Sequence, residues 1–309
     1  MNFSRKASVL AAGLVFSFAA QAGQVKESPD SLYKPTGKGH GELDIGAMQR
    51  AKAQPSRPSS SSNLTYQGGP VMVAPTNAYY IWYGSQWDTG SQNTLTNLGQ
   101  KIGGSPYFNI NTTYYNASNT HVVNSVTLAG STTNSGTYGT RLTDANIQSI
   151  VTDAINSGAL PSDANGVYFV LTDKATTATS GFCTQYCGWH TNATIGGKNI
   201  KYAFVGDAET QCASACGVNN PSPNGTPGAD AMASVVAHEL EEAVTDPDGN
   251  AWYSTYNGYE NGDKCAWNFG ATSTASNGAK YNQTFGTMKY LIQQNWVIAP
   301  TQTCLQHYP

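Results

Sequence analysis

Formal charge is scarce in this chain of 309 residues: 16 Lys+Arg and 19 Asp+Glu make up 11% of it, under half the roughly 25% usual for a soluble protein. With a net charge of only −3, the sequence lacks the basic footprint of a nucleic-acid binder. Long apolar runs are missing as well. Past the N-terminus, nothing reaches the roughly 20 apolar residues of a membrane helix, so no span is expected in a mature chain. Cysteine is absent from the first 182 residues. Core-forming material is plentiful, with 18 Tyr, 9 Phe and 6 Trp, which excludes disorder driven by low hydrophobicity. A polar but weakly charged surface suits an extracellular protein.

The N-terminus supports that placement. Arg5 and Lys6 precede a run of 13 mostly apolar residues over 7–19, and Ala20-Gln21-Ala22 offers a small-x-small cleavage site. This predicts a secretory signal peptide over 1–22 and a protein released outside the cell or into its envelope. Residues 23–69 are polar and patternless, with Pro29, Pro35, Pro55 and Pro58 and a serine run at 59–62. They read as a linker or propeptide, and the folded unit is expected over 70–309. Its six cysteines (Cys183, Cys187, Cys212, Cys216, Cys265 and Cys304) are even in number, which in a secreted chain predicts disulfides. Sequence leaves their pairing open.

Strands are expected over 78–83 (AYYIWY), 121–129, 166–172 (GVYFVLT) and 200–205, from β-branched and aromatic runs bounded by turn residues. Helices are expected over 94–102, after Thr143 as an N-cap, and over 230–244 before Pro247. The Thr143 helix carries Ile147, Ile150, Val151, Ala154 and Ile155 at spacings of three and four, with Gly158 beyond. Weak strands follow over 288–298. Alternation of strands and helices predicts an α/β fold, a single layered domain with a mixed sheet and disulfide-stabilised loops.

The chemistry concentrates in Ala237-His238-Glu239-Leu240-Glu241-Glu242, continuing to Asp246 and Asp248. On a helix, His238 and Glu242 lie one turn apart on one face and make two ligands for a metal ion. Glu239 projects beside them, where a carboxylate serves as general base on a metal-bound water. This is the layout of a zincin helix with Glu242 in place of the second histidine. An anionic ligand weakens zinc as a Lewis acid and brings calcium into consideration. Glu260 is the expected third ligand; Asp248 competes, and His190, after Cys187-Gly188-Trp189, is a further candidate. Met288 and His121 lack supporting context.

Several segments, taken in order, resemble the EXORDIUM family, also called phosphate-induced proteins. They are Tyr80-Ile81-Trp82-Tyr83-Gly84, Gly166 to Thr172, Phe182-Cys183 through His190, Tyr202-Ala203-Phe204-Val205-Gly206, Thr210-Gln211-Cys212 through Cys216, the His238 segment, Asn250-Ala251-Trp252-Tyr253, and Glu260, Asp263 and Cys265. The resemblance implies a secreted protein and places His238, Glu239, Glu242 and Glu260 in one pattern; the short leader suggests a bacterial-type member. The combined expectation is a secreted metal-dependent hydrolase acting on peptides, with zinc or calcium held by His238, Glu242 and Glu260 and water activated by Glu239. The alternative is a non-catalytic module that binds cell-wall glycan and uses the ion for stability.

Overall fold

The computed structural model describes residues 42–44, 63–217 and 221–309. The expected leader over 1–22 and most of the 23–69 segment lie outside the described residues. Six strands form the main sheet: β1 (Glu42–Asp44), β2 (Thr76–Tyr83), β3 (Val126–Asn134), β4 (Gly166–Thr172), β5 (Tyr186–Ile195) and β6 (Lys198–Gly206). Their order is β1-β5-β6-β4-β2-β3. Neighbouring strands run parallel from β6 through β4 and β2 to β3. Strand β5 pairs antiparallel with β6, and β1 antiparallel with β5. The sheet is therefore mixed, as the alternation of elements predicts.

Burial on both faces explains the composition of the central strands. All seven residues of β4 are buried, as are seven of the eight in β2. Tyr79 stacks on Tyr168 across neighbouring strands, with ring centroids 4.7 Å apart. Tyr80 projects to the opposite face, where helix α1 (Thr89–Lys101) passes so close that a Cβ on Gly99 would lie 2.7 Å from the Tyr80 hydroxyl. Helix α1 starts five residues before the expected position because Asp88 caps it, accepting from the Ser91 amide at 2.8 Å. Residues 90–93 (GSQN) carry no apolar period, so the cap is the signal that marks the start.

Helix α2 (Asp144–Asn156) agrees closely with its sequence signature. Thr143 and Asn146 form a capping box, Ile147, Ile150, Val151, Ala154 and Ile155 are all buried, and Gly158 takes the left-handed conformation that stops the helix. Strand β3 begins at Val126, later than expected. His121 lies outside it, in an isolated bridge with Tyr115.

Leu64 is 1% exposed and Thr65–Tyr66 pairs with Trp252–Tyr253, so packed chain begins before the Pro70 boundary that composition suggests. Three disulfides take up all six cysteines: Cys183–Cys212 and Cys187–Cys216 tie the start of β5 to the helical turn Ala213–Cys216, and Cys265–Cys304 anchors the C-terminal strand Thr303–Leu305. Among the described residues, no helix is long and apolar enough to cross a membrane.

Candidate metal centre

Helix α3 (Pro227–Thr245) is the element on which the centre is built. Pro227 opens it at a position where a missing N–H costs nothing. Every residue from Gly228 to Thr245 is buried, so the helix packs on all sides instead of presenting one stripe. Small residues allow this close approach: Ala229, Ala233, Ala237 and Ala243 are each 0% exposed. The same burial takes His238, Glu239, Glu241 and Glu242 out of water, each at 0%. The one-turn spacing brings His238 Nε2 to 2.9 Å from Glu242 Oε1. At the end of the helix, Asp246 Oδ1 accepts from the amides of Asn250 and Ala251, both at 2.6 Å, and turns the chain back toward the segment that carries Glu260.

Strand β5 supplies the second imidazole. Gly188 and His190 are two residues apart and share a face. A Cβ at Gly188 would lie 2.4 Å from Val235 Cγ1 and 3.0 Å from Glu239 Oε1, so glycine is what lets strand and helix meet. His190 Nε2 lies 3.0 Å from Glu260 Oε2 and 3.7 Å from Glu242 Oε2. The turn over 260–265 closes the third side. There the Asp263 amide donates to Glu242 Oε1 at 3.0 Å, the Glu260 amide donates to Asp263 Oδ2 at 3.1 Å, and Asp263 Oδ1 lies 3.6 Å from His238 Nε2. Gln293 meets Nδ1 of His238 from behind.

Two groupings result, each with ligand atoms within 4.8 Å of one another: His238, Glu239 and Glu242, and His190, Glu242 and Glu260. The expected trio of His238, Glu242 and Glu260 is thus shared out, with Glu242 in both groups and Glu260 beside His190. Asp248 stands apart, its carboxylate held by Asn199 Nδ2 at 2.8 and 3.0 Å. Met288 is taken up in a hairpin, where its sulfur accepts from the Tyr290 hydroxyl. Glu241 accepts from the Tyr107 hydroxyl at 3.1 Å. Sequence reasoning passed over Asp263 as a site residue, although it lies three residues after Glu260. Its signal was the dense acidic pattern of that short segment.

Electrostatics in the centre follow from burial. Desolvation and the neighbouring Asp246 and Glu242 hold the Glu260 carboxyl well above the usual carboxylate range. Asp263 is pushed up to about 8 by burial and by Glu242, against the opposing pull of His238. For His238, burial disfavours the charged ring, but Glu242, Asp263 and Glu239 together raise its pKa well above the ordinary value. Glu242 Oε2, Glu260 Oε1 and Asp263 Oδ1 are buried and accept no hydrogen bond among the described residues. A buried carboxylate oxygen without a donor is costly. A divalent cation satisfies such oxygens and displaces their protons. Imidazole nitrogen with carboxylate oxygen is a donor set for zinc, and the share of carboxylate also admits harder ions.

Two cavities lie away from this centre. One of about 270 Å³ is lined by residues including Tyr66, Gly69 and Asn116, and one of about 110 Å³ by residues including Gly84 and Asp173.

Comparison with known proteins places this geometry in context. The phosphate-induced protein 1 conserved region matches residues 64–306, a span containing every residue of the centre. EXORDIUM-like 3 of Arabidopsis thaliana is 31% identical over 278 residues, covering 76% of this chain and 82% of the relative. EXORDIUM-like 5 from the same plant is 33% identical over 223 residues, 63% of this chain, and the chain spans only 61% of that relative. PHOSPHATE-INDUCED 1 of Nicotiana tabacum is 36% identical over a shorter stretch, 29% of this chain and 34% of the relative. No solved structure is significantly similar to the chain.

Proposed function

The chain belongs to the phosphate-induced protein 1 family, and on that premise we propose that it is a secreted protein built around a buried divalent-cation centre, with the ion joining β5, α3 and the 260–265 turn. The observation that carries this reading is the convergence of His190, His238, Glu242, Glu260 and Asp263 in one buried place, with carboxylate oxygens that accept no hydrogen bond. Zinc is the first candidate and calcium the second. The ligands are between 0% and 6% exposed. A closed set of this kind suits an ion that stabilises, since a catalytic ion keeps a position open to substrate. The paired cysteines, all in disulfides, support secretion.

Metal analysis of the purified chain tests the reading. Bound zinc or calcium is expected, together with a lower melting temperature after chelation that recovers when the metal returns. A chain that purifies without metal, and whose melting temperature ignores added zinc and calcium, overturns it.

One observation favours a second reading, metal-dependent hydrolysis of peptides. Glu239 follows His238 directly and packs where β5 crosses the helix, beside Gly188. In that reading Glu239 takes the proton from an attacking water. Glu239→Gln is then expected to abolish peptidase activity while leaving metal content unchanged. Equal activity in the variant and the parent protein rejects it.

A further inference from the structure

The two oxygens of Glu242 face two different imidazoles. Oε1 lies 2.9 Å from Nε2 of His238, and Oε2 lies 3.7 Å from Nε2 of His190. Each imidazole has a further carboxylate of its own: Asp263 Oδ1 is 3.6 Å from His238 Nε2, and Glu260 Oε2 is 3.0 Å from His190 Nε2. The candidate ligand atoms fall into two groups, one around His190 and one around His238, with Glu242 common to both. Bonds of about 2.0–2.2 Å to nitrogen and oxygen place an ion at His238 on the Oε1 side of Glu242, and an ion at His190 on the Oε2 side. Three oxygens of this set are buried and accept no hydrogen bond among the described residues: Glu242 Oε2, Glu260 Oε1 and Asp263 Oδ1. They are divided between the two sides, so a single cation leaves one side unmet.

We propose that the centre is dinuclear: one divalent cation held by His238 and Asp263, a second by His190 and Glu260, with the carboxylate of Glu242 bridging them. The inference rests on the cation-centre reading above and adds its stoichiometry and its bridging ligand. Paired ions that share a carboxylate stand about 3.5–4 Å apart. Each has one nitrogen and at least two carboxylate oxygens, a mixed set suited to zinc and manganese more than to magnesium. The bridge also gives a reason for the departure from a second histidine at 242. An imidazole offers one lone pair to one ion from a given nitrogen, whereas a carboxylate offers two oxygens to two ions.

Manganese(II) alone serves as the probe, since electron paramagnetic resonance separates an isolated ion from an exchange-coupled pair. The full mature chain is stripped with chelator and titrated with manganese(II). Two equivalents are expected to bind, with the six-line signal of the isolated ion giving way to a coupled spectrum as the second enters. His190→Ala is expected to bind one equivalent with only the uncoupled signal. Glu242→Gln is expected to lose coupling and to weaken binding at both positions at least tenfold. Circular dichroism checks that both variants are folded, and the titration of the parent chain stands without them. Saturation at one equivalent, or two equivalents with no coupling, overturns the dinuclear proposal while the cation-centre reading survives. Failure of manganese, zinc and calcium alike to bind overturns both.

Discussion

Gly262→Ala tests the centre without touching a ligand. Gly262 has φ −65° and ψ −47°, values alanine adopts freely, so the backbone gives no penalty. The new methyl group does. Its position lies 2.7 Å from Nδ1 of His238 and 2.9 Å from both Cε1 and Cγ, where ordinary contact begins at 3.4 Å. The imidazole must therefore retreat by about 0.5–0.7 Å, whereas metal–ligand distances tolerate only about 0.2 Å. The ring has no free space to use, being 0% exposed and backed by Gln293. Displacing a ligand on this scale is expected to weaken zinc binding about 10–100-fold. Overpacking should also lower the stability of the metal-free chain by about 1–3 kcal/mol. Competition against a chromophoric chelator measures the first effect, and urea unfolding in chelator the second. Gly130→Ala is the control, because its methyl would find only ordinary contacts, the nearest at 3.5 Å. Wild-type zinc affinity in a folded Gly262→Ala chain, or an equal loss in the Gly130→Ala control, would refute the placement of His238 in the centre.

Other consequences can be measured independently. The twin disulfides each span 29 residues, a closure worth about 3.6 kcal/mol alone in the chain-entropy relation. With one in place, the other closes a ring of only about eight residues, worth about 2.5 kcal/mol. Replacing one pair by alanine should thus cost about 2.5 kcal/mol and replacing both about 6 in urea melts; equal costs for one and two would contradict this. Asp207 is pushed up to about 6, chiefly by burial and against the hydrogen bond from the Glu209 amide. A carboxyl raised in the folded state stabilises it fully below the unfolded value, near 4, and loses that contribution as pH rises through 6. The parent chain should therefore lose up to about 3 kcal/mol more than Asp207→Asn between pH 4 and 7; parallel pH profiles would dismiss the assignment. Thr143→Ala removes one half of the α2 capping box and should cost about 1 kcal/mol, read as a lower urea midpoint with an unchanged slope.

Much of the fold was legible because its signals are local. Strand β4 matches the run Gly166–Thr172, and α2 carries its cap, its apolar stripe and its closing glycine within sixteen residues. Strand β5 was not legible. Its sequence, YCGWHTNATI, lacks both an apolar run and a clean alternation, and its conformation comes from pairing with β6 and β1. The site divides the same way. His238, Glu239 and Glu242 are neighbours on one helix and could be read directly. The alliance of His190 with Glu260 joins residues 70 positions apart, a contact set by tertiary packing alone. The disulfide pairing was beyond sequence for the same reason.

The covalent map of the chain gives the centre another meaning. The twin bridges close their loops by Cys216, and the third opens only at Cys265. All of α3 and the following stretch to Glu260 therefore lie between cross-links and inside none of them. In a reducing wash these residues have no bond to lose, and in an oxidising medium none to gain. Beyond the packing of Val235 on Gly188, their attachment to β5 runs through His190, Glu242 and Glu260. With a cation in the proposed centre, the protein would have two kinds of fastening, one sensitive to thiols and one to chelators, guarding adjacent lengths of the same chain. Limited proteolysis can address them separately: chelation should open cleavage sites between Gly217 and Lys264, and reduction should open sites outside that interval.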